Sequence, residues 1–139
     1  MTRGLNKVMI IGRLGRDPEM RFTPSGQAVT SFPVATNRTY TGSDGQRVKE
    51  TVWFRVSAWG KQAENCNNFL HKGSKVLIEG RLMADPASGG PRVFNRQDGT
   101  AGASFELTAM TVQFLDSRAE SEQAGTDDMG TLSDDEIPF

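Results

Sequence analysis

Two tryptophans and an arginine share one short segment, and their spacing suits contact with flat, negatively charged ligands. Residues 52–59 alternate strictly, with Val52, Phe54, Val56 and Ala58 on one side and Trp53, Arg55, Ser57 and Trp59 on the other. Because an unpaired buried guanidinium is costly, the face that carries Arg55 should reach solvent or a ligand. Exposed indoles stack on nucleobases at about 1–3 kcal/mol per base. Packing of this face against a helix or a partner subunit is the alternative that this segment alone leaves open.

Aromatic and basic residues elsewhere strengthen the nucleic-acid interpretation. Tyr40 lies at the end of a predicted strand, and Phe94 lies between two arginines in a Gly/Pro-rich segment, although a loop aromatic packed on the domain would look the same. Aromatic rings interleaved with cations are what a groove for a single strand needs. The predicted nucleic-acid-binding residues are Tyr40, Trp53, Arg55, Trp59, Phe94, Arg92, Arg96, Arg3, Lys7, Arg13, Lys61 and Lys72.

Catalytic chemistry has little support. His71 and Cys66 are the single histidine and the single cysteine of the chain. They are predicted to be a solvated or cap histidine and a small buried hydrophobe, and together they cannot form a usual structural zinc site. No phosphate-binding Gly-Lys-Ser/Thr loop is present. We therefore predict a protein that is not an enzyme and that binds neither a metal nor a cofactor.

The charge of the chain is divided unevenly. Residues 1–115 hold fifteen basic and nine acidic residues, a net charge of +6, whereas residues 116–139 hold eight acidic residues and one basic residue, a net charge of −7. A cationic body attracts polyanions at long range. The single cysteine rules out an intrachain disulfide, and neither a signal segment nor an apolar run of ~20 residues is seen. These features predict a cytoplasmic location.

The chain pattern predicts an all-β fold. Strands are expected at 8–14, 28–40, 52–59, 76–83 and 104–115, with one helix at 61–70 and a long loop at 84–103. Five strands with one short helix between the third and the fourth is the order of an oligonucleotide-binding barrel. Gly12 indicates a bend or bulge in the first strand, and Pro33 indicates an edge position or a bulge in the second.

The domain organisation follows from the same pattern. Residues 1–115 form the predicted barrel domain, and residues 116–133 form a linker whose composition predicts disorder. The last six residues place three acids before an apolar tip, a pattern typical of a short docking motif. The predicted partner-binding residues are Asp134, Asp135, Glu136, Ile137, Pro138 and Phe139.

With these motifs in place, the chain resembles bacterial single-stranded DNA-binding proteins. The resemblance is carried by several runs of sequence: residues 3–8, Ile11-Gly12-Arg13-Leu14-Gly15-Arg16-Asp17-Pro18-Glu19, residues 34–36, Trp53-Phe54-Arg55-Val56, residues 59–64, residues 70–76, residues 78–82 and the Asp-Asp-Glu-Ile-Pro-Phe tip. It implies a homotetramer that wraps single-stranded DNA with little sequence preference during replication, recombination and repair, at the nucleoid and replication forks. It also implies that the tip recruits partner proteins.

The resemblance assigns roles to individual residues as well. By position, Tyr40, Trp53 and Trp59 match base-stacking aromatics of the family, and Phe94 matches a further one. Tyr40 and Phe94 stand where tryptophan is frequent, so weaker stacking is expected there. Two other functions remain alternatives: an assembly adaptor that uses the tryptophan face for protein contacts, and an enzyme acting on nucleic acid.

Overall fold

The computed structural model describes residues 4–116, and this part of the chain forms seven β-strands and one α-helix. The strands are 4 to 14 residues long, and stretches of the longer ones alternate between more and less buried side chains, as half-buried strands do. In chain order the elements are β1 (Val8–Leu14), β2 (Glu19–Phe22), β3 (Ala28–Thr41), β4 (Arg47–Trp59), α1 (Lys61–Phe69), β5 (Lys75–Leu82), β6 (Arg92–Asn95) and β7 (Ala101–Phe114).

Five of these strands close into a barrel. Neighbouring strands run in the order β1-β5-β7-β4-β3, and β3 pairs back with β1. The β4–β7 pair is parallel, and the other pairs are antiparallel. The short strands β2 and β6 extend the barrel as hairpins with β3 and β7. The predicted five-stranded barrel with one helix between its third and fourth strands is confirmed.

Closure of the barrel depends on a glycine. The β1–β3 pairing is limited to Arg13 with Ala35 and Leu14 with Val34. A Cβ atom on Gly12 would lie 2.2 Å from the Ala35 carbonyl oxygen. Any side chain would therefore force the two strands apart. The β1–β5 register is continuous through Gly12, so no bulge lies at this position, and the glycine is needed for the close approach of β1 and β3.

Pro33 is accommodated without losing a ladder bond to β4. It faces Arg55 in the β3–β4 register, but its carbonyl accepts a hydrogen bond from the Gly15 N–H at 3.0 Å on the opposite edge. In an antiparallel ladder the N–H and C=O of one residue point to the same neighbour. The missing N–H of Pro33 therefore faces the gap between β2 and β1. On this edge β3 pairs with β2 at residues 28–31 and with β1 at residues 34–35, so Pro33 lies where neither strand pairs with it. The predicted edge position is therefore met locally, although β3 as a whole lies inside the sheet.

The core fills the barrel, and α1 lies over one end of it. Ala63 and Cys66 on the helix have no exposed surface, and Thr30 Oγ1 donates a hydrogen bond to the Ala63 carbonyl oxygen at 2.7 Å. This bond satisfies a buried hydroxyl and ties the helix to β3. The core side chains are Ile10, Leu14, Phe32, Val34, Val56, Ala58, Cys66, Leu70, Val76, Ile78, Leu107 and Ala109.

Two element boundaries differ from the prediction. The third predicted strand begins at Arg47 rather than at residue 52, so β3 and β4 form a long hairpin. The predicted loop over 84–103 is wrong in its second half, because β6 and the start of β7 form another hairpin there. All four residues of β6 are exposed, so the sequence has no buried-exposed alternation to reveal that strand.

Candidate nucleic-acid interface

The two faces predicted for residues 52–59 are present in β4. Val56 and Ala58 are completely buried, whereas the side chains of Trp53 and Trp59 are 52% and 41% exposed. Arg55 lies between the two indoles and is also exposed. Two large aromatic side chains exposed on one strand are unusual on a surface that contacts only water. The face that carries Trp53, Arg55 and Trp59 is called the outer face below.

The outer face continues from β4 onto β7 and β6. Arg55 stands beside Glu106 in the parallel β4–β7 register. Because side chains alternate along a strand, Ser104 and Gly102 lie on the same face as Glu106. In the β6–β7 hairpin these two residues pair with Arg92 and Phe94. The fold thus brings together two groups of predicted site residues that are separated by the helix and β5 in the sequence.

A pocket of about 450 Å³ opens beside Trp59 on this face. Residues 83–86 form one wall, and Arg92 and Glu106 form another. Arg92 Nη1 lies 3.5 Å from Glu106 Oε2, and Ser104 Oγ donates a hydrogen bond to the same oxygen at 3.0 Å. The pocket offers an aromatic surface for stacking on a nucleobase and hydrogen-bond acceptors for the edge of that base, while its one cation, Arg92, is paired with Glu106.

Phe94 and Arg96 form a second aromatic–cation pair in the β6–β7 hairpin. The guanidinium carbon of Arg96 lies 5.6 Å from the centre of the Phe94 ring. Arg96 Nη1 also donates to the Ala101 carbonyl oxygen at 2.6 Å. Both side chains cross Gly102, whose missing side chain leaves room for them. Arg96 therefore stabilises the hairpin as well as adding charge to the outer face.

Tyr40 lies apart from the other predicted aromatics. The β3–β4 register is continuous from Val29 to Thr41, and Tyr40 pairs with Val48. Strand alternation then places Tyr40 on the face opposite to Trp53 and Trp59. The guanidinium of Arg38 covers its ring at 4.7 Å and is itself 3.3 Å from Glu50 Oε1. The structure does not bring Tyr40 onto the outer face.

Of the remaining predicted cations, some form ion pairs or hydrogen bonds within the chain and others are exposed. Lys7 Nζ is 2.8 Å from Glu79 Oε1. Arg13 is half-buried, donates to the Gly73 carbonyl oxygen at 2.9 Å and lies 3.8 Å from Asp116, so it links three segments of the barrel. Lys61 and Lys72 are exposed. Arg3 and the docking tip, 134–139, lie outside the described residues.

Sequence reasoning missed Arg16 as a site residue. A small polar hollow of about 110 Å³ lies next to Arg55 and is lined by Arg16, Asp17, Glu19, Ser31, Phe32, Pro33 and Arg55. Neither guanidinium has an ion-pair partner within residues 4–116. Arg16 falls in a turn with no aromatic neighbour in the sequence, so only the fold shows that it approaches Arg55.

The part of the chain that the structure describes contains neither a metal-binding cluster nor a reactive thiol. Residues 4–116 contain no cluster of three or more potential metal ligands. Burial raises the pKa of the Cys66 thiol from 9.0 to about 11, which keeps it protonated and unreactive at neutral pH. Among the described helices, none is long and apolar enough to cross a membrane.

The fold and the site together define a class of protein. A closed five-stranded barrel with this strand order is an oligonucleotide-binding fold, in which the second and third barrel strands and the adjoining loops form the ligand-binding face. The outer face lies on β4, the third barrel strand, and the hollow near Arg16 lies in the connection from β1 to β3.

Comparison with known proteins identifies the family. The chain belongs to the Single-strand binding protein family, whose sequence profile matches residues 5–115. It is 54% identical over 83 residues to single-stranded DNA-binding protein 1 of Chlorobaculum tepidum, covering 60% of this chain and 51% of that protein. It is 39% identical over 117 residues to the single-stranded DNA-binding protein of Neisseria meningitidis, covering 84% and 63%. These relatives are therefore matched over half to two thirds of their own length.

A solved structure agrees with this assignment. The fold is similar to a crystal structure of a deletion mutant of the single-stranded DNA binding protein from Thermus aquaticus. The TM-score is 0.65 at 31% sequence identity, and the match covers 86% of this chain and 54% of that chain. Family membership confirms the resemblance inferred from the sequence motifs and the prediction of a non-enzymatic protein.

Proposed function

We propose that this chain binds single-stranded DNA with little sequence preference. The observation that carries the proposal is the outer face, where Trp53, Arg55 and Trp59 are exposed in one row and Phe94 and Arg92 adjoin them. The indoles would stack on bases, and the guanidinium groups would bind phosphates. The names of the relatives, all single-stranded DNA-binding proteins, support the same function.

The arrangement favours a single strand over a duplex. Stacking on an aromatic ring requires an exposed π-face, and the bases of a duplex are already stacked on each other. Because every base has a π-face, such binding tolerates most sequences. The proposed role is to cover and protect single-stranded DNA during replication, recombination and repair, in the cytoplasm at the nucleoid and replication forks.

We also propose that the chain assembles as a homotetramer. An apolar hollow of about 340 Å³ lies where β1 separates from the β3–β4 hairpin. It is lined by Met9, Ile10, Ile11, Thr36, Val52, Phe54 and Leu77. Met9 is more than half exposed, and so is Phe105, whose ring centre lies 6.0 Å from that of the lining residue Phe54. Apolar surface of this kind on a single subunit supports burial against a further copy.

The acidic tip of the chain, 134–139, is proposed to recruit replication, recombination and repair proteins. Ile137 and Phe139 would enter an apolar pocket of the partner, and Asp134, Asp135 and Glu136 would meet a basic rim. Deletion of Phe139 is expected to abolish binding of such partners and to leave the affinity for DNA unchanged. A parallel loss of DNA affinity would contradict this division of roles.

A direct experiment compares single-stranded with duplex DNA. Fluorescence anisotropy of a labelled oligo-dT and of a labelled duplex of equal length would be measured at low salt. We expect tight binding of the single strand and weak, purely electrostatic binding of the duplex. Equal affinities would contradict the proposed stacking interface and would favour a general polyanion binder or a protein-assembly role.

A further inference from the structure

We propose that Gly15 and Arg16, which connect β1 to β2, complete a one-nucleotide subsite with Trp53 and Arg55. In this subsite Gly15 is a positioning residue that sets the ring of Trp53 for stacking with a base, and Arg16 joins Arg55 in binding a backbone phosphate. The inference rests on the proposed function, since it assigns individual residues within the same interface.

Gly15 leaves the space that the Trp53 ring occupies. A Cβ atom on Gly15 would lie 2.5 Å from Cζ3 and 2.6 Å from Cη2 of Trp53, and 3.7 Å from Cγ of Pro33. The indole therefore rests directly on the Gly15 backbone. Gly15 has no positive φ angle, so a glycine is needed here for space rather than for backbone conformation. The Gly15 N–H donates to the Pro33 carbonyl oxygen at 3.0 Å, which holds this support in place.

The Trp53 ring packs on Gly15 and still exposes a surface on which a base can stack. Trp53 packs against Gly15 with one part of its indole, yet 52% of the side chain is exposed. A side chain that is already fixed in its binding orientation loses less conformational entropy when a ligand arrives. The contact with Gly15 thus favours stacking on the exposed part of the ring.

Arg16 and Arg55 face the same polar hollow, close to this ring. Its volume of about 110 Å³ is more than three times the ~30 Å³ that one water occupies, which leaves room for a group larger than a water molecule. Two acids, Asp17 and Glu19, also line the hollow, so the four charged side chains of its lining sum to zero. The Asp17 Oδ1 accepts the Lys72 backbone N–H at 2.7 Å, whereas the two guanidinium groups have no ion-pair partner within the described residues. Arginine is suited to phosphate because its planar donors bind two oxygens at once.

The positions along β4 make the two contacts compatible with one nucleotide. Trp53 and Arg55 are two residues apart on the same face of the strand, a separation of roughly 7 Å. On β3, Ala35 pairs with Trp53 and Pro33 pairs with Arg55. Gly15 is hydrogen-bonded to the edge of Pro33 that points away from β4. A base stacked on Trp53 therefore leaves its neighbouring phosphate beside the hollow that Arg16 and Arg55 line.

The role of Gly15 is tested by a double-mutant cycle. Gly15→Ala would be made in the intact chain and in a Trp53→Ala background, with oligo-dT affinity and Tm measured for each variant. In the intact chain we expect about a fivefold loss of affinity, which corresponds to the lower end of the contribution of one stacked base to binding. When Trp53 has already been replaced, we expect that Gly15→Ala causes no further loss. Gly4→Ala is the matched control, because an added Cβ there meets no atom within 4 Å. An equal loss in both backgrounds, or no loss in the intact chain, would overturn the role of Gly15.

The role of Arg16 is tested by salt dependence. Arg16→Gln should weaken oligo-dT and oligo-dC binding equally and reduce the slope of log K against log salt by about 0.7–1, the value of one phosphate contact. Arg38→Gln is the control, since Arg38 lies on the opposite hairpin face and is paired with Glu50. Equal slope changes for both variants would indicate a general charge effect and overturn the assignment. Failure of the unsubstituted chain to bind oligo-dT would instead reject the proposed function itself.

Discussion

At the scale of single residues, the exposed aromatics of this chain are not equivalent. Trp53 and Trp59 stand on the outer face, Phe94 joins them from β6, and Tyr40 lies on the other face of the hairpin. The sequence alone predicted that all four carry bases, because their types and their basic neighbours are similar. The register of the long hairpin separates them, and that register depends on pairing between distant residues.

Substitution of the aromatics should reveal this difference. Trp53→Ala and Trp59→Ala are each expected to weaken oligo-dT binding by about 1–3 kcal/mol, the value of one stacked base. Tyr40→Ala should cost less, because its ring lies on the opposite face and is covered by Arg38. Isothermal titration of the three variants measures these differences. A loss for Tyr40→Ala as large as for the tryptophans would show that the DNA path crosses both faces.

Cys66 offers a residue-scale test of the core. Because burial raises the pKa of this thiol from 9.0 to about 11, the folded chain should resist alkylation by iodoacetamide at pH 8. The folded state therefore keeps this proton at a higher pH than the unfolded state does, so stability is unaffected below about pH 9 and falls as the pH rises from 9 through 11. Mass spectrometry after labelling, with and without urea, measures this protection. Rapid labelling without urea would contradict a buried Cys66.

At the scale of elements, the sequence predicted the strands whose side chains alternate. The two faces of segment 52–59 could be predicted because one side of β4 is buried in the barrel, which requires apolar residues at every second position. The β6–β7 hairpin could not be found in this way, since β6 is exposed on both faces. The hollow beside Arg55 was also hidden, because its residues come from three separate strands and the turn at Arg16. The alternation of side chains along the sequence predicts a strand, whereas the residues that meet in the hollow beside Arg55 are determined by pairing between strands.

Barrel closure provides a prediction at this scale. Gly12→Ala should destabilise the fold by about 1–3 kcal/mol, typical of an overpacked site, because the new methyl group would meet the Ala35 carbonyl oxygen. Urea denaturation gives the free energy of unfolding, and Gly4→Ala again serves as the control. An unchanged free energy of unfolding would mean that β1 and β3 separate without penalty.

At the scale of the whole molecule, charge is divided between the barrel and the C-terminal segment. Residues 1–115 carry a net charge of +6 and residues 116–139 a net charge of −7. The acidic segment should compete with DNA for the basic surface of the barrel. The structure adds that Asp116 is integral to the barrel, since its Oδ2 accepts the Lys75 backbone N–H at 2.9 Å.

Removal of residues 117–139, which keeps Asp116, should therefore raise the affinity for oligo-dT about two- to tenfold at low salt. The gain should fade as the ionic strength rises, because salt screens charges that are more than a Debye length apart. Anisotropy titrations of the full and truncated chains across a salt series measure both effects. Equal affinities at low salt would show that the acidic segment does not compete for the DNA-binding surface.

The proposed function depends above all on stacking of the outer face on the bases of single-stranded DNA. The most direct measurement is a titration with oligo-dT followed by intrinsic tryptophan fluorescence, since both tryptophans of the chain, Trp53 and Trp59, lie on that face. Stacking on the outer face predicts saturable quenching at low salt, and the logarithm of the affinity should fall linearly as log salt rises. Absence of both quenching and binding at low salt would contradict it.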